Sequence, residues 1–276
     1  MKVIAVIPAR YDSTRFAGKV LARETGKYLI QHTYERACKA KLPEKVIIAT
    51  DSEKVVAAAR EFGAECVLTS PDHQSGTDRI AEAVADLDVE IVINLQGDEP
   101  EIDPANIDYL ARLLMDNPDC PMATLSAEFQ NAEQVADPNI VKVIVSSRVS
   151  SSAFCVLRSA ENDNTQHAAR STQHETAQAI YFSRSVIPYD RDAAGVGNVR
   201  QYLRHLGIYA YRKEFLQKIT SSPQTPLEKI EKLEQLRAIE NGYSILVGKV
   251  KHTCDGIDTP EQYADFVKRY KGRAKK

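Results

Sequence analysis

The stretch Met1–Leu21, MKVIAVIPARYDSTRFAGKVL, decides the fold. Its unbroken apolar run from Val3 to Ile7 ends at Pro8, which is typical of a short buried strand in a parallel sheet. Ligands of open α/β sheets bind beyond the carboxyl ends of strands, and a loop there that is rich in cations suits a polyphosphate. The sequence therefore indicates either a phosphate site or a solvated basic loop after the first strand. The three cations of this loop are Arg10, Arg15 and Lys19.

Strand and helix signals alternate through the first half of the chain. Apolar runs predict strands at 46–49, 65–68 and 90–95, and helical periodicity predicts helices at 28–41, 53–63, 78–87 and 104–115. This order predicts an α/β fold with a doubly wound, mostly parallel sheet and right-handed crossovers.

From about residue 121 the alternation of strand and helix signals is less regular. This pattern predicts a smaller subdomain with strands in mixed directions. Strands are predicted at 123–129, 140–147, 179–183, 207–212 and 245–250, and one long amphipathic helix at 226–241. The segment from Ser146 to Thr176 is polar and weakly periodic, and we interpret it as either an excursion or a partly disordered loop, with a candidate strand at 154–157. We expect a single domain over 1–276.

Composition excludes several classes of protein. The formal net charge is −2, so the chain lacks the general positive charge of a surface that binds nucleic acids or membranes. No apolar stretch approaches membrane-spanning length, and the N-terminus enters a strand without a signal-type segment, so we expect a cytoplasmic protein. The five cysteines have no metal-site or redox spacing, which favours reduced structural thiols.

Two aspartates are candidate metal ligands. Asp98 directly follows a predicted buried strand, and a carboxylate beside a polyphosphate site commonly holds Mg²⁺. A turn carboxylate before Pro100 is the alternative. Asp258 precedes Thr259 and Pro260, and its spacing alone favours a helix N-cap.

Other polar residues have equally simple structural explanations. Ser75 and Gly76 suit either close approach to a nucleotide or a turn with a helix cap. His205 and Tyr209 lie four apart on a predicted strand, where a histidine either contacts a substrate carboxylate or hydroxyl or is a satisfied interior residue. Glu234 and Gln235 flank the apolar stripe of the predicted long helix, where polar residues are usually solvated.

These residues predict an α/β enzyme that binds a nucleoside polyphosphate with Mg²⁺. No GxGxxG follows the first strand, and no GxxxxGK[ST] occurs, so neither the dinucleotide fingerprint nor the P-loop applies. No Ser-His-Asp order, Cys/His metal set or glycosidase-like carboxylate pair is defensible.

The motifs taken together resemble the 3-deoxy-manno-octulosonate cytidylyltransferases, and the resemblance covers nearly the whole chain. The occurrence of all these motifs in this order identifies the family far more specifically than any single motif does. They are Pro8-Ala9-Arg10-x-x-Ser13-Thr14-Arg15-x-x-Gly18-Lys19, Ala49-Thr50-Asp51, Ser75-Gly76-Thr77-Asp78-Arg79, Gln96-Gly97-Asp98-Glu99-Pro100, Tyr181-Phe182-Ser183-Arg184, His205-x-Gly207-Ile208-Tyr209, Pro226-Leu227-Glu228, Leu233-Glu234-Gln235-Leu236-Arg237 and Asp258-Thr259-Pro260.

The resemblance implies a role for each matching residue. Arg10, Arg15 and Lys19 would hold the CTP phosphates, with Ser75, Gly76 and Gln96 at the nucleotide. Asp98 and Asp258 would bind Mg²⁺, and Lys19, Arg10 and Asp98 would serve catalysis. The implied sugar-acid contacts are Arg184, His205, Tyr209, Glu234 and Gln235, with Arg184 gripping the carboxylate.

The implied reaction is attack by the anomeric hydroxyl of 3-deoxy-manno-octulosonate (Kdo) on the α-phosphate of CTP, which releases pyrophosphate and supplies lipopolysaccharide synthesis. The resemblance also implies a homodimer, a nucleotide-binding half at 1–120 and a sugar-binding and dimerisation half at 121–276. The chain departs from the pattern at Ala17 and Val20, where prolines are expected, and in the long segment at 146–176.

Three alternatives remain on the sequence alone. The first is the same chemistry on another acidic sugar, such as an 8-amino Kdo analogue or a sialic-type acid, which the long segment keeps open. The second is a nucleotide-sugar glycosyltransferase, although Asp98-Glu99-Pro100 supplies no Asp-x-Asp. The third is a silent nucleotide-binding regulator.

Overall fold

The computed structural model of the chain describes residues 1–11, 16–146, 176–251, 253 and 255–273. Within these ranges it forms two compact units, the first from Met1–Ala111, Gly207–Ser222 and His252–Lys276 and the second from Arg112–Leu206 and Pro223–Lys251. The strands are β1 (Val3–Ala9), β2 (Lys45–Thr50), β3 (Glu65–Leu68), β4 (Ile91–Asn94), β5 (Met122–Glu128), β6 (Lys142–Val145), β7 (Thr176–Ser183), β8 (Leu203–Arg212) and β9 (Ile245–Lys249). The helices are α1 (Leu29–Ala37), α2 (Glu53–Glu61), α3 (Gly76–Ala83), α4 (Pro104–Met115), α5 (Ala132–Ala136), α6 (Lys213–Thr220), α7 (Pro226–Glu231), α8 (Gln235–Glu240) and α9 (Pro260–Arg273), with short 3-10 helices at Lys19–Leu21 and Val199–Gln201.

The first unit is built on the strand order β3-β2-β1-β4, in which every neighbouring pair is parallel. Strand β8 then pairs antiparallel with β4, from Ile91 opposite Arg212 to Asn94 opposite Tyr209. The α/β class predicted from the sequence is therefore confirmed, and the sheet is mixed.

Strand β1 forms the core of this unit. Val3 to Ile7 are almost completely buried, because strands pair on both sides of β1 and helices cover its faces. A strand buried on both faces requires a continuous apolar run rather than alternation, which is the pattern that the sequence has. The carboxyl end of β1 brings Pro8, Ala9 and Arg10 to the edge where β4 ends.

The second unit contains β5, β9, β7 and β6. Strands β5 and β9 pair parallel, while β7 pairs antiparallel with both β9 and β6. The first residues of β8 belong to this unit, where Arg204 lies opposite Lys142 of β6. The expected mixture of strand directions in the second half is thus present.

The prediction of one long helix at 226–241 was wrong. The structure has two short helices, α7 and α8, separated at Lys232, whose φ of 54° is left-handed. Ile230, one of the apolar residues that form the stripe of the predicted long helix, is 78% exposed. A residue in the left-handed region ends a helix, because the backbone can no longer continue the i to i−4 hydrogen bonds.

Some predictions fall outside the described residues, namely the strand at 154–157, nearly all of the segment at 146–176, and Arg15. Cys38, Cys66 and Cys120 are free thiols. No helix in the described ranges combines the length and apolar composition needed to cross a bilayer.

Candidate active site

Lys19 lies between the two aspartates that the sequence singled out. Its Nζ donates to Asp98 Oδ2 at 2.5 Å, to Asp258 Oδ1 at 3.0 Å and to the carbonyl oxygen of Ile257 at 3.0 Å. These residues come from three distant segments of the first unit: the 3-10 helix after Gly18, the turn after β4, and the segment before α9. The fold therefore assembles a cation with two carboxylates at the carboxyl ends of β1 and β4.

The cluster is partly sheltered from water. The side chains of Lys19, Asp98 and Asp258 are 13%, 23% and 39% exposed. Burial alone would lower the pKa of Lys19, but the Asp98 and Asp258 carboxylates more than offset it, so that the pKa is raised. Lys19 is therefore firmly protonated and neutralises one of the two negative charges beside it.

Backbone contacts fix the turn that carries Asp98. The Ile257 N–H donates to the Asp98 carbonyl at 2.9 Å, which ties the turn to the segment before α9. Thr33 Oγ1 donates to the Gly97 carbonyl at 3.1 Å. A Cβ on Gly97 would lie 3.1 Å from the Pro8 carbonyl oxygen, so a larger residue here would push the turn and the end of β1 apart by a few tenths of an ångström.

The donor chemistry of the cluster fits Mg²⁺. Mg²⁺ prefers oxygen ligands, and it is commonly held by one or two carboxylates together with waters and substrate phosphates. Asp98 and Asp258 supply two carboxylates within reach of the same ammonium group. Among the described residues, no group of three or more His, Cys, Asp and Glu side chains is arranged to hold a metal ion.

Arg10 extends the cationic edge beside this cluster. It is exposed, and its Nη2 donates to the His73 carbonyl at 2.6 Å, which links the end of β1 to the loop before α3. That loop is held in turn by Glu82, which accepts from the Ser70 N–H at 3.0 Å and pairs with the His73 ring. The Arg10 side chain is thus directed along the loop that leads to Ser75.

Ser75 and Gly76 have structural roles at the start of α3. Ser75 Oγ accepts from the Asp78 N–H at 3.1 Å, and the Asp78 carboxylate accepts from the Ser75 N–H at 3.1 Å, which is a reciprocal capping box. A Cβ on Gly76 would lie 3.3 Å from Pro8 Cγ, so Gly76 lets α3 pack against the end of β1. The cap arrangement that the sequence allowed is present, and the same contacts hold this helix start beside the end of β1.

Gln96 is another residue of the first unit that is predicted to contact the nucleotide. Its Nε2 donates to the Gly207 carbonyl at 2.8 Å, which links the turn after β4 to β8. Tyr209 lies farther along β8 and is half-buried, with its ring 5.9 Å from that of Tyr211.

Arg79 and Asp51, both within the quoted motifs, form a partly buried ion pair that the sequence reasoning did not assign. Arg79 Nη2 lies 2.5 Å from Asp51 Oδ2, and Nη1 donates to Thr69 Oγ1 at 2.6 Å. The pair ties α3 to the ends of β2 and β3. These motif residues therefore support the loop around Ser75.

Arg184 lies in the second unit at the end of β7, where it holds the corner between α7 and α8. Its Nε donates to the Glu231 carbonyl at 2.7 Å, Nη1 to the Pro138 carbonyl at 3.1 Å, and Nη2 to the Lys232 carbonyl at 3.4 Å. The Glu231 carboxylate accepts from Ser183 Oγ at 2.6 Å and from the Arg184 N–H at 3.0 Å. These bonds satisfy carbonyls that the end of α7 leaves without helical partners.

The same corner carries Glu234 and Gln235. Glu234 is exposed and Gln235 is buried at the first position of α8. A buried ion pair between Glu228 and Arg237, with Nε to Oε2 at 2.8 Å, joins α7 to α8. The second unit therefore brings Arg184, Glu234 and Gln235 to one corner.

Lys142 is a buried cation that the sequence reasoning missed. Its Nζ donates to the carbonyls of Asp137 and Ile140 at 3.0 Å each and of Arg184 at 2.6 Å. Burial lowers the pKa of this lysine despite the nearby Asp137 and Glu231. A lysine within the apolar run at 140–145 could have indicated a buried cation from the sequence alone.

His205 is buried on β8 in the second unit. Its Nε2 lies 3.0 Å from Thr124 Oγ1. Its ring packs edge to face with the ring of Phe182, with 4.9 Å between the ring centroids. Burial, with a smaller effect of Arg204, lowers the pKa of His205 to about 3. His205 is therefore a neutral hydrogen-bonding group at physiological pH.

Comparisons with known proteins agree with this architecture. A family model described as cytidylyltransferase matches residues 4–245. A 3-deoxy-manno-octulosonate cytidylyltransferase of Solibacter usitatus is 43% identical over 98% of this chain and 95% of the relative. Another, of Rhodopirellula baltica, is 42% identical over 98% of both chains.

Solved structures give the same result. A CMP:2-keto-3-deoxy-manno-octonic acid synthetase complexed with CTP is 38% identical, with a TM-score of 0.83 over 99% of this chain and 100% of that one. A 4-diphosphocytidyl-2C-methyl-D-erythritol synthase of Anaerococcus prevotii, 11% identical with a TM-score of 0.59 over 98% and 99% of the two chains, shares the fold alone. The chain therefore belongs to the cytidylyltransferase family, among the 3-deoxy-manno-octulosonate cytidylyltransferases.

Proposed function

We propose that this chain transfers CMP from CTP to the anomeric hydroxyl of Kdo, giving CMP-Kdo and pyrophosphate for lipopolysaccharide synthesis in the cytoplasm. The observation that carries the proposal is the convergence of Lys19, Asp98 and Asp258 at the carboxyl ends of β1 and β4. A cation between two carboxylates, together with the exposed cation Arg10 at the end of β1, suits a metal-bound triphosphate.

The nucleotide is expected in the first unit, which we propose is the nucleotide-binding half of a single doubly wound domain. Arg10, Arg15 and Lys19 would contact the phosphates. Ser75, Gly76 and Gln96 would border the nucleoside, because the start of α3 and the turn after β4 both adjoin the end of β1.

Mg²⁺ would be held by Asp98 and Asp258. When bound, it would neutralise phosphate charge and acidify the attacking hydroxyl. The protein's own contribution is to hold two carboxylates at one point and to supply the positive charge of Lys19 beside the phosphates.

In the reaction the anomeric oxygen forms a bond to the α-phosphorus, the bond from that phosphorus to the bridging oxygen breaks, and pyrophosphate leaves as the hydroxyl loses its proton. Negative charge on the phosphate oxygens shifts toward the leaving group. Arg10 and Lys19 would stabilise this charge, which is mainly positioning and electrostatic catalysis rather than covalent catalysis.

The residues expected to contact the sugar acid are those that the family resemblance implies, namely Arg184, His205, Tyr209, Glu234 and Gln235. The corner held by Arg184 and Glu231 supports a role for Glu234 and Gln235, because it fixes the start of α8. We also propose that the second half carries the contacts of a homodimer.

Pyrophosphate release tests the proposal. Enzyme, CTP and Mg²⁺ are incubated with Kdo, 8-amino Kdo or N-acetylneuraminate in parallel. We expect release with Kdo. Release with another acid alone would keep the chemistry and change the substrate, whereas CTP binding without release from any of the three would contradict the assignment as this transferase.

A further inference from the structure

A single carboxylate of α3 holds two points of the loop that joins β3 to α3. Glu82 Oε2 accepts from the Ser70 N–H at 3.0 Å, and the same oxygen pairs with the ring of His73. The hydrogen bond with His73, together with that from Ser70, lowers the pKa of Glu82, so the carboxylate is ionised and can accept from both groups. Glu82 therefore closes the loop between Ser70 and His73.

Neighbouring bonds fix the two ends of this loop. Arg79 lies three residues before Glu82, on the same side of α3, and is completely buried. It donates to Thr69 Oγ1 at 2.6 Å where the loop begins, and Ser75 forms the helix cap with Asp78 where the loop ends. All of these residues belong to the first unit. The shape of the loop is thus set by side chains of α3.

The closed loop presents one carbonyl oxygen to a cation that is proposed to bind phosphate. The His73 carbonyl oxygen accepts from Arg10 Nη2 at 2.6 Å, and Arg10 is exposed. An exposed arginine ordinarily loses rotamer freedom when it binds a ligand, and this loss weakens binding. The bond to His73 restricts Arg10 in advance. A guanidinium has several N–H groups, so this bond leaves others for phosphate oxygens.

We propose that Glu82 is a positioning residue for CTP: it closes the loop so that the His73 carbonyl orders Arg10 before the phosphates bind. This inference rests on the proposed function, in which Arg10 contacts the phosphates. Neither Glu82 nor His73 is among the site residues that the family resemblance implies. Glu82 itself touches no substrate in this proposal and acts only through the loop.

The sign of the effect separates positioning from simple electrostatics. A carboxylate repels a polyphosphate, so the loss of the Glu82 charge alone would strengthen CTP binding. Loss of the loop's shape would instead weaken CTP binding, because Arg10 would then give up its rotamer freedom when the phosphates bind. A weaker CTP complex in a variant that lacks this negative charge is therefore what positioning, and not charge, predicts.

Calorimetric titration with CTP and Mg²⁺ in the absence of sugar measures this effect without turnover. We expect Glu82→Ala to raise the dissociation constant for CTP about five- to tenfold, the part of an arginine's rotamer freedom that the bond to His73 restricts. Glu82→Gln keeps an oxygen that can accept from Ser70 but loses the charge that pairs with His73, so its effect should be smaller. KM for Kdo at saturating CTP should stay unchanged in both variants. CTP binding as tight as in the wild type, or tighter, in Glu82→Ala would refute the proposal.

Two further variants show whether the effect passes through Arg10. In an Arg10→Ala background, Glu82→Ala should change the dissociation constant by less than about twofold, because no guanidinium remains to be ordered. Glu35→Ala is the matched control, because it removes a carboxylate of similar exposure, 39% against 42%, that pairs with Lys27 in the same unit. The full effect of Glu82→Ala without Arg10, or an equal effect of Glu35→Ala, would show that Glu82 only stabilises the unit and would overturn the proposal.

The order of the Arg10 side chain can be measured without CTP. Relaxation of ¹⁵N in the arginine Nε–H groups reports fast side-chain motion, and an Arg10→Lys variant identifies the signal. We expect Arg10 to be more ordered in the wild-type chain than in Glu82→Ala, with the buried Arg79 as the rigid reference in both proteins. Equal disorder of Arg10 in the two proteins would overturn the proposal even if CTP is the substrate. Failure of the wild-type chain to bind CTP would instead contradict the proposed function, and with it this inference about CTP.

Discussion

Replacing Lys19 by methionine tests the centre of the site. Methionine keeps a long, flexible side chain but carries no charge, so the variant removes the ammonium group with little change of volume. Asp98 and Asp258, which accept from Nζ at 2.5 and 3.0 Å in the wild type, would then face each other without the cation between them. The metal-free protein should lose stability.

The size of the loss follows from distance and exposure. Two unit charges about 4 Å apart interact by about 4 kcal/mol at an effective dielectric constant of about 20. Desolvation of the ammonium offsets part of this, and the 39% exposure of Asp258 screens its share. We therefore expect a net loss of about 2 kcal/mol, which lowers Tm by about 4–8 °C in a chain of this size.

The assay is thermal unfolding followed by circular dichroism in buffer with a chelator and then in excess Mg²⁺. Lys27→Met is the matched control, because Lys27 forms an ion pair with Glu35 in the same unit, with both side chains more than a third exposed. We expect the control to lose less than about 1 kcal/mol. Mg²⁺ should restore Tm in Lys19→Met and change it little in Lys27→Met, because only the first variant leaves two carboxylates without a cation.

Equal Tm values for Lys19→Met and Lys27→Met in the chelator would refute the reasoning about the cluster. Failure of Mg²⁺ to stabilise Lys19→Met would refute the assignment of the metal to Asp98 and Asp258. The two outcomes are separate, because the first concerns the ammonium and the second the ion that would replace it.

Three further predictions concern single residues. Asp98→Ala should abolish CTP turnover while the circular dichroism spectrum stays native, and wild-type activity at saturating Mg²⁺ would contradict the metal role. Glu231→Ala should raise KM for Kdo more than KM for CTP, because the α7–α8 corner loosens; equal changes would argue against a role of this corner at the sugar. The buried His205, with a pKa of about 3 instead of 6.5, contributes stability that is present above pH 6.5 and is lost as the pH falls toward 3. The free energy of unfolding should therefore drop by up to about 1.4 kcal/mol per pH unit in this window, and His205→Asn should flatten the dependence if His205 is its source.

Local sequence patterns were sufficient for most of the first unit. The helix predicted at 104–115 and the strand at 65–68 match α4 and β3 residue for residue. Both depend on short-range information, namely hydrophobic periodicity and flanking turn residues. The predicted strand at 90–95 likewise matches β4 within one residue at each end.

The break between α7 and α8 could not be predicted in this way. The apolar spacing at 226–241 continues through Lys232 as if the helix were unbroken. The break is stabilised by donation from Arg184 to the carbonyls of Glu231 and Lys232, and Arg184 lies nearly fifty residues earlier in the chain, directly after β7. Periodicity describes only neighbours in sequence, so it carries no trace of this contact.

The sequence by itself determined the alternation of buried strands and helices, the loop of cations after β1, and the family, because these depend on composition and on the order of motifs. The tertiary structure decided which polar residues act together. Spacing favoured Asp258 as a helix cap, yet the fold brings its carboxylate to Lys19, 239 positions away. Likewise His205 lies within hydrogen-bonding distance of Thr124, which is 81 residues away in the chain. Both contacts join residues that are far apart in the chain and meet only after folding. In the folded chain the neighbouring carboxylates raise the pKa of Lys19, whereas burial lowers the pKa of His205.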